Sequence, residues 1–164
     1  KPPSNLKKFI SVSSAEDMYQ AVISNLDEND AVIKSAAVAD YKPKTYSDNK
    51  IKKKDGDLVI ELDRNKDIAY EIGKIKKDKI LVGFAAETND IIENAKGKIA
   101  KKNMDFIVAN NLKESGAGFG TDTNVVSIIE KDGSMKKYPM MTKEEVASVI
   151  LDKIKVLLDE KSSL

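Results

Sequence analysis

Residues 31–39 read Ala-Val-Ile-Lys-Ser-Ala-Ala-Val-Ala, an almost wholly apolar run that only Lys34 and Ser35 interrupt. Such a run is typical of a strand that is buried on both faces of a parallel sheet. Other short apolar runs predict further strands. They are Phe9–Val12, Lys79–Gly83 and Asp105–Ala109.

Helical segments alternate with these runs. Each predicted helix begins with a polar residue that can cap it, followed by apolar residues at helical spacing. Two of the starts have the spacing of a capping box, in which paired side chains satisfy free amides. Alternating strands and helices predict a parallel α/β sheet covered by helices. The predicted starts are Ser13 with Glu16, Asn65, Thr88 or Asn89, and Thr142 with Glu145.

Two Asp-Gly pairs between apolar segments predict β-hairpins, because this dipeptide suits a tight two-residue turn. The chain has no internal repeat and no long linker, so residues 1–164 are expected to form one domain. Its predicted architecture is a mostly parallel α/β sheet with helices on both faces and two added hairpins. The hairpins pair Lys50–Lys54 with Leu58–Leu62 around Asp55-Gly56, and Val125–Glu130 with Met135–Met140 around Asp132-Gly133.

The composition excludes several function classes. The 28 basic and 27 acidic residues leave a net charge of +1, which gives no support to a general nucleic-acid binder. There is no cysteine and no histidine, which excludes disulfides, thiolate nucleophiles, Ser-His-Asp triads and histidine general bases. No apolar run approaches the roughly 20 residues of a membrane span. We therefore expect a soluble cytoplasmic protein that neither binds nor crosses a membrane.

Candidate binding residues follow the predicted strands, since ligands of open α/β sheets bind beyond the strand carboxyl ends. Small residues in Ser35–Ala39 would let a ligand approach the backbone. Asp40 either accepts hydrogen bonds from that ligand or caps a turn. Phe84 either stacks on a base or belongs to the core.

Basic residues form the second group of candidates. Residues 42–54 carry six lysines against one aspartate, which suits either a polyphosphate or a solvated edge hairpin. The helix start at Asn65-Lys66-Asp67-Ile68 either offers amides to an anion or is a simple cap. Lys98 and Lys102 share a helix face, where they either bind a ligand or complement the helix dipole.

Four segments, taken in their order along the chain, resemble phosphopantothenoylcysteine synthetase, also called phosphopantothenate–cysteine ligase. The similarity runs from about Phe9 to Leu158. Each segment alone is weak evidence, but their order along the chain is specific. The segments are Ser35–Pro43 with Lys50–Lys53, then Val82–Asn89, Lys102–Asp105 and Val108–Asn110.

The resemblance implies a three-layer, Rossmann-like fold and a role in coenzyme A biosynthesis. The bacterial enzyme joins 4′-phosphopantothenate to L-cysteine with CTP and Mg²⁺, through an acyl-cytidylate. It is a homodimer and is usually fused behind a decarboxylase, and FMN would be present only with that preceding domain. Neither half-reaction requires histidine or cysteine on the protein, in agreement with this composition.

The resemblance also assigns site residues. It places the nucleotide on the strand end, the helix start and the lysine helix, although that helix end should point away from the strand carboxyl ends. Lys50 would be the catalytic residue and should matter more than Lys52, Lys53 or Lys54. The metal ligands stay unassigned. The nucleotide set is Lys34, Ser35, Ala36, Asp40, Lys50, Lys66, Asp67, Ile68, Ala69, Phe84, Lys98 and Lys102.

Family sequences begin with a glycine-rich strand-turn-helix segment and an Ile-Ser-Asn-x-Ser-Ser-Gly loop, neither of which is present here. We therefore expect an N-terminally truncated ligase domain with little turnover of its own. The alternative is a catalytically incomplete nucleotide-binding or dimerisation module. A nicotinamide-dependent oxidoreductase is disfavoured because no Gly-x-Gly-x-x-Gly follows a predicted strand. The sequence does not decide between CTP and ATP as the nucleotide.

Overall fold

The computed structural model describes residues 6–52, 56–87, 91–111 and 122–163. These residues form four helices and nine strands. In chain order they are α1 (Ala15–Ser24), β1 (Ala31–Lys34), β2 (Tyr41–Pro43), β3 (Leu62–Arg64), α2 (Ile68–Ile75), β4 (Ile80–Glu87), α3 (Ile91–Lys102), β5 (Phe106–Asn111), β6 (Thr123–Asn124), β7 (Val126–Glu130), β8 (Met135–Lys137), β9 (Met141–Thr142) and α4 (Lys143–Ser162).

The main sheet has five strands in the order β1-β4-β5-β7-β8. The first three are parallel to one another, whereas β5, β7 and β8 pair antiparallel. Helices α1, α2 and α3 pack on one face and α4 packs on the other. The predicted three-layer, Rossmann-like α/β fold is therefore confirmed.

The core follows from the alternation of side chains along the central strands. Leu81 and Ile107 point toward α1–α3, whereas Val82, Phe106 and Val108 point toward α4. All five are at most 1% exposed. The two central strands are buried on both faces, as their continuous apolar runs predict.

Two strand predictions at the sheet edge are wrong. Phe9–Val12 forms no strand, and Phe9 is 65% exposed. In the run 31–39, only Ala31–Lys34 is a strand, and it is partly exposed rather than buried on both faces. Within the described sheet β1 pairs with β4 alone, so it lacks the second neighbour that would bury it.

The first hairpin is displaced from its predicted position. The paired strands are Tyr41–Pro43 and Leu62–Arg64, and the backbone N–H of Lys44 donates to the carbonyl of Glu61 at 3.0 Å. Residues 50–52 and 57–61 form no strand, while 53–55 lie outside the described residues. The apolar residues of 58–62 stay exposed because the described part of the chain does not cover them.

The second hairpin is confirmed, since β7 and β8 pair antiparallel within the predicted strands 125–130 and 135–140. Gly133 adopts φ +86°, which favours glycine. The Asp132 carboxylate accepts from the Ser134 N–H at 2.8 Å and fixes the turn. The short pairing of β6 with β9 was not predicted.

Helix caps lie close to the predicted positions. The Thr142–Glu145 capping box is confirmed, but the first box is Ser14 with Asp17 rather than Ser13 with Glu16. Helix α2 is capped by Asp67, not by Asn65. The predicted cap at Thr88 or Asn89 lies outside the described residues.

Candidate functional site

The candidate site lies where the parallel strands β1, β4 and β5 end. Carboxyl ends of parallel strands meet at one edge of the sheet, and ligands bind beyond that edge. Lys34 is the last residue of β1, and Ser35 and Ala36 follow it. Both of these small residues line clefts on the two faces of the sheet.

The start of α2 is tied to the segment that follows β1. The Asn65 backbone N–H donates to the Asp40 carbonyl, and its side-chain amide donates to the Ala39 carbonyl, both at 2.8 Å. The Asp67 carboxylate accepts from the Tyr70 N–H at 3.2 Å and caps the helix. The first turn of α2 is thereby held beside Asp40.

Lys102 reaches this helix start from the far end of α3. Its ammonium lies 2.8 Å from the Asp67 carboxylate. Helix α3 approaches α2 so closely that a β-carbon at Gly73 would overlap the Lys102 carbonyl. Helical side chains lean toward the helix N-terminus, so a long lysine in the last turn points back along α3 toward the strand ends. This explains how Lys102 reaches the site although its helix end points away.

Lys34, Asp40, Asp67 and Lys102 form what we call the charged cluster. Burial lowers the pKa of Lys34, and repulsion from Lys102 lowers it further, while Asp67 and Asp40 oppose both effects. The Lys34 ammonium donates to the Ala36 carbonyl at 3.0 Å. Two lysines thus converge on the strand ends, an arrangement suited to a phosphorylated ligand.

The pKa of Asp67 reflects two opposed influences. Partial burial would raise it, but the hydrogen bonds from Lys102 and the Tyr70 N–H and the charges of Lys102 and Lys34 together lower it. Asp67 therefore stays ionised beside Lys102. The Asp40 carboxylate has no hydrogen bond or salt bridge within the described parts of the chain.

The other assigned residues of the α2 start contribute differently. The Lys66 ammonium lies 2.8 Å from Glu16 and 4.2 Å from the centre of the Tyr19 ring. Its side chain is thus engaged with α1. Ile68 and Ala69 are at most 2% exposed, so their side chains belong to the core and do not face a ligand.

On the opposite face of the sheet, a cleft of about 790 Å³ separates the strand ends from α4. Its volume is in the usual range for small-molecule sites. We call it the α4 cleft. Phe84 packs against the α4-side core and also lines this cleft, so its place in the core is confirmed and base stacking stays a prediction. The other lining residues include Ser35, Ala36, Asn110, Lys143 and Leu151.

Sequence reasoning did not assign Asn110, at the carboxyl end of β5, to the site. Its side-chain oxygen is buried and has no hydrogen-bond partner among the described residues. A buried acceptor left unsatisfied costs about 1–3 kcal/mol, so its presence at a cleft calls for a physical reason. The signal in the sequence is a polar residue directly after the apolar run Phe106–Ala109.

Two of the assigned lysines, Lys50 and Lys98, lie at exposed positions. Lys50 is exposed in the connection between β2 and β3, and no hydrogen bond or salt bridge within the described ranges links it to the cluster. Lys98 is exposed one turn before Lys102 on α3. Their roles stay predictions.

Membrane spans and protein-only metal sites are both absent from the described residues. None of the helices described is both long and apolar enough to cross a membrane. Within the same residues, no group of three or more acidic, histidine or cysteine side chains is placed to hold a metal ion.

Comparison with known proteins gives consistent matches. Residues 1–157 match the family described as DNA/pantothenate metabolism flavoprotein C-terminal domain. The coenzyme A biosynthesis bifunctional protein CoaBC of Bacillus subtilis is 54% identical over 155 residues, which are 94% of this chain and 38% of the relative. The Escherichia coli protein of that name is 37% identical over 159 residues, with 94% and 39% coverage.

The chain thus spans about two-fifths of the curated relatives it matches. A solved structure of the C-terminal domain of CoaBC is 41% identical, with a TM-score of 0.75 over 96% of this chain and 74% of that chain. The fold, the order of the motifs and these matches agree. The chain belongs to the family of the DNA/pantothenate metabolism flavoprotein C-terminal domain.

Proposed function

We propose that this chain is the phosphopantothenate–cysteine ligase part of a coenzyme A biosynthesis protein, and that it uses CTP with Mg²⁺. The observation that carries the proposal is the charged cluster at the strand carboxyl ends, in a chain that belongs to this family. The relatives named for coenzyme A biosynthesis support the pathway.

The proposed reaction has two steps. The carboxylate of 4′-phosphopantothenate attacks the α-phosphate of CTP, which gives an acyl-cytidylate and releases pyrophosphate. The amine of L-cysteine then attacks the acyl carbon and displaces CMP. Neither step needs a protein nucleophile, so positioning and charge neutralisation can supply most of the catalysis.

The residues of the site have defined tasks in this proposal. Lys34 and Lys102 offset the charge of the triphosphate from the α2 face of the sheet. Phe84 stacks on the base from the α4 face. The backbone N–H groups of Ile68 and Ala69, which lack an intrahelical partner at the helix start, bind phosphate oxygens, whereas the Tyr70 N–H is bonded to Asp67.

Asp40 fits the requirement for Mg²⁺. Magnesium is usually held by one or two carboxylates together with substrate phosphates. Asp67 is engaged by Lys102, which leaves the Asp40 carboxylate to hold the ion. Bound there, Mg²⁺ would neutralise phosphate charge.

Titration calorimetry with CTP, ATP and NAD tests the proposal. The ligase assignment predicts binding of CTP, with NAD inert. Tight NAD binding without any response to CTP would overturn it in favour of an oxidoreductase. CTP binding with no pyrophosphate release, even in the full-length protein, would favour the catalytically incomplete module.

Replacing Lys102 with methionine is expected to weaken CTP binding about tenfold, because a charge-assisted contact near a phosphate is lost. Lys101→Met is the matched control, since Lys101 lies in the same helical turn and is exposed. Calorimetry at low and at high salt gives the affinities. Equal affinities for the two variants would remove Lys102 from the nucleotide site.

The chain is also proposed to form a homodimer. Leu58, Ile60 and Leu62 are 69%, 62% and 55% exposed, and an exposed apolar segment beside a hairpin edge needs a cover. Ile60→Glu is expected to give a monomer in light scattering at micromolar concentration. Asp57→Asn, in the same exposed segment, should leave the mass unchanged. A monomeric wild-type chain would contradict the proposal.

A further inference from the structure

Helix α3 ends at an asparagine in a left-handed backbone conformation. Asn103 has φ +49°, in the region that favours glycine. The Met104 backbone N–H donates to the Ile99 carbonyl at 3.1 Å, which is the bond that closes a Schellman motif. Glycine is the usual residue at this position of the motif, and asparagine is less favourable there unless its side chain contributes.

The Asn103 side chain joins α3 to α2. Its carboxamide N–H donates to the Gly73 carbonyl at 3.0 Å. Gly73 lies in the last turn of α2, where carbonyls have no partner inside the helix. Glycine is itself unfavourable in a helix, but here a β-carbon would overlap the Lys102 carbonyl. Two locally unfavourable residues thus meet at one contact, which we call the helix clasp.

The helix clasp lies one residue from Lys102. The Lys102 ammonium is 2.8 Å from Asp67, the residue that caps the start of α2, whereas Asn103 binds the last turn of that helix. The clasp therefore fixes the backbone from which the lysine reaches the helix start. A long side chain on a loosened backbone samples more positions, and ordering it on a ligand then costs more free energy.

We propose that Asn103 is a positioning residue of the nucleotide site and acts through Lys102. Its carboxamide is bonded to Gly73, so it sets the position of the lysine and not that of the ligand. Asn103 is exposed, so its replacement leaves the core intact. The inference rests on the proposed nucleotide-dependent function, in which Lys102 offsets phosphate charge.

A double-mutant cycle tests the coupling of Asn103 to Lys102. Calorimetry with CTP and MgCl₂ is run on the full-length protein. Asn103→Gly removes the carboxamide and keeps the left-handed helix end. It is expected to weaken CTP binding at least about threefold, because the Lys102 ammonium is no longer held at the start of α2. In the Lys102→Met background the same change should leave the affinity unaltered, since no ammonium remains to be positioned.

Asn29→Gly is the matched control. The Asn29 carboxamide donates to the Asn25 carbonyl at 2.6 Å, at the end of α1, so this variant removes the same kind of bond at another helix end. Asn29 precedes β1, whereas the candidate site follows it. The control is expected to lower the melting temperature about as much as Asn103→Gly does, with unchanged affinity for CTP. Loss of stability is thereby separated from loss of positioning.

Wild-type affinity in Asn103→Gly overturns the inference while the proposed function stands. Equal weakening in the wild-type and Lys102→Met backgrounds also overturns it, because Asn103 would then act without Lys102. Wild-type protein that does not bind CTP overturns the proposed function together with the inference. Asn103→Ser gives a second cycle with the same deciding outcomes if the glycine variant fails to fold, because its hydroxyl is one bond too short to replace the carboxamide.

Discussion

Replacing Asp105 with alanine is expected to lower the free energy of unfolding by about 3–5 kcal/mol, because the change leaves a buried cation without its partner. The Asp105 carboxylate lies 2.7 Å from the Lys76 ammonium, and the two side chains are only 9% and 3% exposed. The Lys76 ammonium also donates to the Lys79 carbonyl at 2.9 Å, which cannot balance its charge. Urea unfolding measures the loss.

Asp105 does more than form an ion pair with Lys76, since its carboxylate also contacts other parts of the fold. It accepts the Leu81 backbone N–H at 2.7 Å, at the start of β4. Its other oxygen lies 3.5 Å from Lys131 in the β7–β8 turn and 3.6 Å from Lys161 near the end of α4. The carboxylate therefore joins both helical layers to the end of the sheet opposite the candidate site.

The control variant is Glu61→Gln, which breaks the exposed Lys44–Glu61 pair. Exposed pairs contribute little, so this variant should unfold almost as the wild type does. If both variants lost a similar free energy of unfolding, burial of the Lys76–Asp105 pair would not make it more stabilising than an exposed pair. A loss of less than about 1 kcal/mol in Asp105→Ala would contradict the prediction.

The same pair predicts how stability depends on pH. Burial would raise the pKa of Asp105, but the Lys76 hydrogen bond, the Leu81 N–H and nearby lysines together lower it. A carboxyl group with a lowered folded-state pKa stabilises the fold above its unfolded pKa of about 3.9, and this contribution is lost as the pH falls. Wild-type stability should therefore decline below about pH 4, and Asp105→Asn should lack that part of the decline.

The centre of the sheet was predictable from the sequence, but its edge was not. Strands β4 and β5 have neighbours on both sides and are buried on both faces, so their continuous apolar runs predict them correctly. At the edge, Phe9–Val12 has similar composition but forms no strand. An apolar run cannot show whether a partner strand lies beside it.

The caps illustrate a local ambiguity. The sequence Ser13-Ser14-Ala15-Glu16-Asp17 fits a capping box in two registers, since either serine has an acidic residue three positions later. The structure uses the second register. The periodicity of the following helix is compatible with both, so the sequence alone does not select between them.

The charged cluster depends on a long-range contact. The resemblance assigned Lys34, Asp67 and Lys102 to the nucleotide, but the contact of Lys102 with Asp67 requires α2 and α3 to be in close contact at Gly73. Glycine inside a helix gives no hint of its neighbour. Asn110 was missed because a polar residue at a strand end has the same pattern whether it faces a cleft or a loop.

Replacing Lys50 with alanine in the full-length protein is expected to slow acyl-cytidylate formation around 10²–10³-fold, the usual effect of removing one preorganised electrostatic donor. The motivation is the family resemblance, which assigns Lys50 to the nucleotide. Within the described residues Lys50 is exposed and makes no hydrogen bond or salt bridge, so its removal should leave the melting temperature unchanged. Pyrophosphate release from CTP and phosphopantothenate gives the rate.

Lys52→Ala is the matched control for this prediction. Residues 50–52 form no strand, so strand alternation does not place the Lys50 and Lys52 side chains on one face. Lys50 and Lys52 are both exposed and equally charged, and only Lys50 is assigned to the nucleotide. If the loop acts through its net charge alone, the two variants should slow the reaction to the same extent. If Lys50 has a specific role, Lys50→Ala should greatly slow the reaction at saturating CTP, whereas Lys52→Ala should react at nearly the wild-type rate. Wild-type rates in both variants would show that Lys50 is only a solubilising surface residue.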